Sequence, residues 1–428
     1  MAKFTRELDE LVANEIITPD TAEKIRGYYN RQGTSSKGAS RLVIAFGIIG
    51  ALLVGMGIVL IIAHNWDDLS NGTKLFIGLA PMLICHVIAG VLVFKQSTSK
   101  AWTESVSVLL VFAVSIAIAI VSQVYHISGN FPRFLLTWTI LTLPIIYILR
   151  SWMASLLYWI GITWYAIEVA DSYNYMSNDP RLFWLMALAA VPFFVLLIRR
   201  SPNGNSISFH NWMIGGAVTI VLAFHNFHGA KELIIPVYIT LFSVFILIGQ
   251  LPYFASQRLI SNAWLIGGSA GTIGMLLFLT FEWPDLSENS REWWVSTPMF
   301  IWIFLFIVAG ALLYIVGKQR GFRNVLSKSY TFIIYLALFL IGLENPLISR
   351  GLANILLLAL GVYTIREGAL ANQLWKMNYG LLILSVLIGC RFFDTDMSFV
   401  IRGLLFVAIG AGFFIMNIYM VRKRKVTS

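Results

Sequence analysis

Apolar stretches of about 17 to 23 residues, separated by short polar links, succeed one another from residue 42 to residue 420. At about 1.5 Å of rise per residue, each can cross the roughly 30 Å hydrocarbon layer of a bilayer as one helix. The pattern predicts fourteen spans, near 42–63, 75–94, 106–122, 134–149, 152–170, 182–198, 211–227, 233–250, 262–281, 296–316, 327–343, 351–365, 377–393 and 399–420. The expected fold is all-α: a polytopic helical membrane protein with about 14 transmembrane helices.

Residues 1–40 are the one sizeable polar segment and read as a cytosolic helical hairpin with a linker. A first helix over about Phe4 to Asn14 places Leu8, Leu11 and Val12 on one face, and a turn at Glu15-Ile16-Ile17 follows. Thr18 then suits an N-cap, Pro19 the first helical position and Asp20 the positive end of the helix dipole. The remainder is expected to divide into a membrane domain of about six spans over 41–200 and a second of about eight over 201–428. No cleavable leader is expected, because the start is polar and lacks a short apolar core.

Composition agrees with this topology: 58% of residues are hydrophobic and 12% charged, against about 25% charged in an average soluble chain. The net charge of +10 changes meaning once it is sorted by side. With the amino terminus in the cytosol, 23 of the 31 lysines and arginines fall on inner segments and 8 on outer ones. The positive-inside rule then gives an even number of spans with both termini cytosolic. Seven basic residues against six acidic ones in residues 1–41 exclude a nucleic-acid arm. The acids and histidines gather mainly on the outer side.

Two outer clusters carry the most chemistry. One is His64-Asn65-Trp66-Asp67 at the exit of the first span, and the other is Gln123-Val124-Tyr125-His126 after the third. As a polar cup, His64 and His126 can exchange protons, Asp67 can orient a cation or hydroxyl, and Trp66 and Tyr125 can stack on a ligand. As interfacial architecture, the same aromatics form a headgroup belt and the Asn, Asp and Gly residues cap helices and make turns. His86, inside the second span, is an intramembrane ionisable group, expected neutral and bonded to a neighbouring helix. Glu168, Arg391, Asp394 and Arg402 are further charges near the outer interface, read either as clamping pairs, such as Arg402 with Asp394, or as the lining of a hydrated cavity. Trp293, Trp294 and Trp302 are expected to anchor the tenth span in the headgroups.

His225 and His228 share a helical face, but no thiolate or compact His/carboxylate signature accompanies them, so no metal is expected. Cys85 and Cys390 lie in apolar runs and suit neither a disulfide nor a zinc motif. No phosphate-binding Gly-rich loop, Gly-x-Ser-x-Gly elbow or His-Glu-x-x-His occurs, which excludes ATP-driven transport and zinc proteolysis by those signatures. No cofactor is expected. The exits at His64-Asn65-Trp66 and His225-Asn226-Phe227 also hint at a parallel internal repeat.

The Gly-rich first span from Gly47 to Gly57, the exit His64-Asn65-Trp66-Asp67 and the motif Gln123, Tyr125, Gly129 resemble a bacterial membrane family catalogued as domain of unknown function 2157. The likeness covers about residues 5–150 and extends more loosely to Arg391-Phe392-Phe393-Asp394 and Arg402-Gly403. It implies a bacterial inner-membrane location and supplies no catalytic residues. Three functions stay open. The first is a non-ATP-driven transporter or lipid-linked substrate handler with an outward-facing polar cavity, taking a small molecule or lipid. The second is a membrane scaffold or envelope-stress component binding a protein partner through residues 1–40. The third is an integral-membrane transferase or hydrolase on an envelope lipid or glycan.

Overall fold

The computed structural model describes residues 8, 11–25, 53, 66–95, 99–171, 181–201, 204–224, 233–281, 296–322 and 345–394, with isolated helical positions at 325, 334, 337–338, 340–342, 400, 403–404, 407, 410–412, 414 and 418. Twelve α-helices are defined there: α1 Asn71–Phe94, α2 Lys100–Val124, α3 Phe131–Leu149, α4 Trp152–Asp171, α5 Leu182–Arg200, α6 Asn205–Ala223, α7 Ile234–Gln250, α8 Pro252–Ala255, α9 Ala263–Phe281, α10 Thr297–Arg320, α11 Pro346–Leu370 and α12 Leu374–Asp394. Among the described residues, nine helices are long and apolar enough to cross a membrane, and two more, Ile234–Gln250 and Leu374–Cys390, are apolar but shorter. They coincide with eleven of the fourteen expected spans. The spans expected at 42–63, 327–343 and 399–420 lie largely outside the described residues.

Helix starts are set by local chemistry. Asn130 accepts the Arg133 N–H at 3.0 Å to cap α3, Ser296 caps α10 through Met299, and Asn345 caps α11 through Ile348, each with proline in the first turn. Proline costs nothing there because the first-turn N–H groups lack helical partners in any case.

The chain forms two compact units, Met1–Ile77 and Gly78–Ser428. In the first, residues 19–25 are helical, Thr18 accepts the Thr21 N–H at 3.3 Å and Lys24 pairs with Asp20 at 2.6 Å, which is the predicted capping pattern. Glu15 forms the turn in a left-handed conformation at φ 56, and Leu8 and Ala22 are buried.

In the second unit, α2 to α6 enclose a core that includes Leu135, Ile146, Ile162, Tyr165 and Phe183. Three aromatic donors are satisfied across helices by backbone carbonyls, Trp138 Nε1 on Val111 at 2.9 Å, Tyr158 Oη on Met186 at 3.0 Å and Tyr147 Oη on Ala189. This answers the demand that polar groups in a lipid environment find partners inside the protein. Helix α7 is the shaft of the remainder. It packs against α6, α9 and α10, and fifteen of its seventeen residues are buried, as an all-round apolar helix requires. Glycines bring α9 onto α7 and α12 onto α11: a Cβ at Gly268 would stand 2.7 Å from the Phe242 carbonyl oxygen, and one at Gly380 2.8 Å from that of Gly361. By contrast α10 buries only five of its residues and exposes Phe300, Phe304, Phe306 and Ile307, an apolar surface suited to lipid. The protein is a multi-pass helical membrane protein.

Candidate functional site

The predicted clusters are helix termini. In the first unit Trp66 lies under the Lys74 ammonium, 5.6 Å from ring centroid to Nζ, while Ser70 caps α1 by accepting the Thr73 N–H at 3.2 Å. Asp67 is exposed. His64 and Asn65 lie outside the described residues, as do His225 of the expected repeat and its helical-face neighbour His228.

In the second unit Gln123, Tyr125 and His126 end α2. His126 takes the left-handed conformation at φ 53, its N–H bonds the Gln123 carbonyl at 3.4 Å, and the Ile127 N–H bonds the Ser122 carbonyl at 2.9 Å. These two bonds around a left-handed residue form a Schellman cap, which satisfies carbonyls that the helix end leaves orphaned. All three side chains are exposed, Tyr125 by 63%. The left-handed region costs a residue with a Cβ about 1–2 kcal/mol. His126→Gly is therefore expected to keep unfolding stability within about 1 kcal/mol of the native chain or raise it; a thermal melt showing a larger loss would mean that the imidazole itself holds the fold.

The other expected charges divide. His86 Nδ1 bonds the Met82 carbonyl of its own helix at 2.8 Å, not a neighbouring helix, and the ring is exposed. Backbone carbonyls one turn earlier are the nearest acceptors to a helical imidazole on an outward face. Glu168 accepts from Trp164 Nε1 at 2.9 Å, again within one helix. Arg391 and Asp394 belong to the last turn of α12, but their side chains, and Arg402 altogether, lie outside the described residues. Trp302 is no headgroup anchor: its Nε1 donates to Thr240 on α7 at 3.0 Å and it packs on that helix's core. Trp293 and Trp294 lie outside the described residues.

A further polar seam was not expected. His210, on the second turn of α6, is 0% exposed. Its Nδ1 bonds the Ser206 carbonyl at 2.7 Å, its Nε2 meets Ser155 Oγ of α4 at 3.0 Å, and Phe194 of α5 stacks on the ring at 6.1 Å. Since a carbonyl only accepts, Nδ1 carries a proton, and in the neutral ring Nε2 accepts from the Ser155 hydroxyl. In the imidazolium, Nε2 donates instead, and the serine hydroxyl turns toward another acceptor, such as a carbonyl one turn back along α4. The imidazole keeps two partners in both protonation states.

One turn earlier, immediately before α4, Ser151 donates to the carboxylate of Glu104 on α2 and accepts the Ala154 N–H at 3.1 Å. Glu104 also accepts the backbone N–H groups of Met153 at 3.1 Å and Trp152 at 3.3 Å. A carboxylate from a distant helix thus caps α4, where the helix dipole favours negative charge. Charge-assisted bonds of this type contribute about 1.5–3 kcal/mol, so Glu104→Ala is expected to lower unfolding stability by about 2 kcal/mol. A denaturation midpoint equal to that of the native protein would contradict that capping role. On the far side of the seam, Asn211, also 0% exposed, accepts from Trp264 Nε1 of α9 at 3.2 Å.

Hydropathy hid both key groups for one reason. The third span was expected to start at 106 and the seventh at 211, whereas α2 starts at Lys100 and α6 at Asn205, so Glu104 and His210 fell just outside the apolar windows. The usable signal was local: Ser206 and His210 are four apart, as are Ser151 and Ser155, which places each pair on one helical face.

No curated protein and no solved structure matches the chain. Over residues 9–155, through α3 and into the first turn of α4, the chain matches the family model described as predicted membrane protein (DUF2157).

Proposed function

We propose that this protein is a non-ATP-driven membrane carrier in which His210 takes up and releases a proton during turnover. The observation that carries the reading is the fully buried His210 imidazole, held between the Ser206 carbonyl and the Ser155 hydroxyl inside a membrane-spanning helix. Ionisable groups enclosed in the interior of a membrane protein are costly, and such groups are drawn from ion and proton paths. Ser155 serves both protonation states, and Ser151 on the same face of α4 leads back toward the Glu104 carboxylate, which supplies a counter-charge at the end of the seam.

Trp66 and Asp67 in the first unit are proposed as one outer-face substrate contact, and Gln123, Tyr125 and His126 in the second unit, separately, as another. The distribution of 23 inner and 8 outer basic residues supports a bacterial inner-membrane placement with both termini cytosolic.

The test is charge movement in proteoliposomes adsorbed on a solid-supported membrane, challenged with sugars, amino acids and organic acids across a proton gradient. At least one class is expected to drive a current in the native protein, and His210→Gln to lose it by about 100-fold, the scale on which positioned proton-transfer groups act. Absence of current with every class, or an undiminished current in His210→Gln, would overturn the reading.

A further inference from the structure

Between α7 and α9 the chain folds back along α6 and is held there. The buried Asn262 donates from Nδ2 to the carbonyls of Gly249 at 2.9 Å and Phe254 at 3.1 Å, and its Oδ1 accepts the Leu265 N–H at 3.1 Å. Trp212, on the third turn of α6, donates from Nε1 to the Ile260 carbonyl at 3.1 Å. At about 1.5 Å per residue, that level lies roughly 10 Å along α6 from its first residue. The tip of the loop, a 3₁₀ turn at Leu259–Ser261, is thus fixed at the depth of Trp212, with Leu259 exposed and Ile260 exposed by 74%.

Apolar surface continues from this tip. Phe209, 56% exposed, shares a face of α6 with Trp212 and stacks on Trp152 at the start of α4, ring centroids 6.1 Å apart. An exposed cation stands at each end: Arg258 directly before Leu259, and Arg150 two residues before Trp152. Among the described residues neither has a carboxylate partner, and the Glu104 carboxylate at the start of α4 is already engaged by Ser151, Trp152 and Met153. A contiguous exposed apolar patch marks an interaction surface. One that sets aromatic rings beside unpaired arginines at the ends of membrane helices has the composition of a headgroup contact.

We infer that this rim binds an anionic phospholipid, with Arg258 and Arg150 attracting its headgroup phosphate and with Leu259, Ile260 and Phe209 against its glycerol backbone and upper acyl chains. The apolar tip selects an amphiphile over a soluble anion, which would leave the isoleucine bare. The unbalanced positive charge selects an anionic headgroup over a zwitterionic one. Because Asn262 and Trp212 already hold the loop, little ordering cost is left to binding.

The test uses the full-length protein in dodecyl maltoside, with thermal unfolding followed against added phosphatidylglycerol, phosphatidylcholine and glycerol phosphate. Phosphatidylglycerol is expected to raise the unfolding midpoint at about tenfold lower concentration than phosphatidylcholine, and glycerol phosphate to leave it unmoved. Arg258→Gln is expected to need about fivefold more phosphatidylglycerol for the same rise, and Arg150→Gln/Arg258→Gln about thirtyfold. Arg133→Gln, which replaces an exposed arginine at the start of α3, should respond as the native protein does. All three arginines are exposed, so the variants are expected to keep the native midpoint without lipid. Ile260→Ser is expected to weaken the response to both lipids alike, as loss of an acyl contact requires. A midpoint that neither lipid moves, equal responses to the two lipids, or a rise with glycerol phosphate would overturn the site. So would an Arg150→Gln/Arg258→Gln response equal to that of Arg133→Gln, by placing the lipid elsewhere.

Discussion

Gly268→Val is expected to lower unfolding stability by about 3 kcal/mol or more and to cut the yield of folded protein. A Cβ at this position would stand 2.7 Å from the Phe242 carbonyl oxygen and 2.8 Å from the Ile246 nitrogen. Both are backbone atoms of α7, so no side chain can swing aside. Restoring ordinary contact near 3.5–4.0 Å requires the two helices to part by about 1 Å, which loosens the packing around the most deeply enclosed helix of the bundle. Overpacking in a tight core costs about 1–3 kcal/mol, and a branched side chain against backbone lies at the upper end. Close approach through small residues is also the main source of helix association where lipid removes the hydrophobic driving force. Gly274, on the same helix, faces open space, and Gly274→Ala is expected to be neutral or stabilising by up to about 1 kcal/mol. Thermal melts of the two variants in one detergent check the contrast, and equal losses would show that the α7–α9 contact is not the constraint.

At the seam, Ser155→Ala is expected to destabilise the protein by about 1–3 kcal/mol, because His210 Nε2 keeps its burial and loses its partner. The double variant Ser155→Ala/His210→Leu removes both polar groups and is expected to regain most of that stability, since an apolar pair of similar volume leaves nothing unsatisfied. A seam that serves only to hold helices together would then lose nothing. A seam that moves protons loses function in both variants while the double variant remains folded. Denaturation midpoints and transport currents measured on the same preparations separate stability from function. A double variant less stable than Ser155→Ala alone would show that the imidazole contributes through packing.

Span positions were legible because run length in a bilayer is fixed by hydrocarbon thickness, so eleven helices fall where apolar runs predict them. The expected division at residue 200 and the fourteenfold count rest on the same reading. Helix ends were less legible. Lys100 to Glu104 and Asn205 to His210 are helical although polar, because Glu104 finds three donors at the start of α4 and His210 finds Ser206 and Ser155. Hydropathy sees only the cost of such groups and not the partners that remove it. The same gap explains Trp302, read as an interfacial anchor by residue type but drawn inward by Thr240. Sequence identifies Gln123, Tyr125 and His126 as a polar cluster, whereas the Schellman bonds at His126 and Ile127 identify what the segment does for the fold. Asn211 gave no signal at all, since its bond to Trp264 is a property of two helices meeting and not of either one.

Internal pH in pyranine-loaded proteoliposomes tests the central claim most directly. On addition of the solute that drives current, vesicles with the native protein are expected to change internal pH in proportion to solute uptake, and vesicles with the folded Ser155→Ala/His210→Leu double variant to show no solute-dependent change. An equal pH change in the double variant would contradict the assignment of His210 as the proton-carrying group.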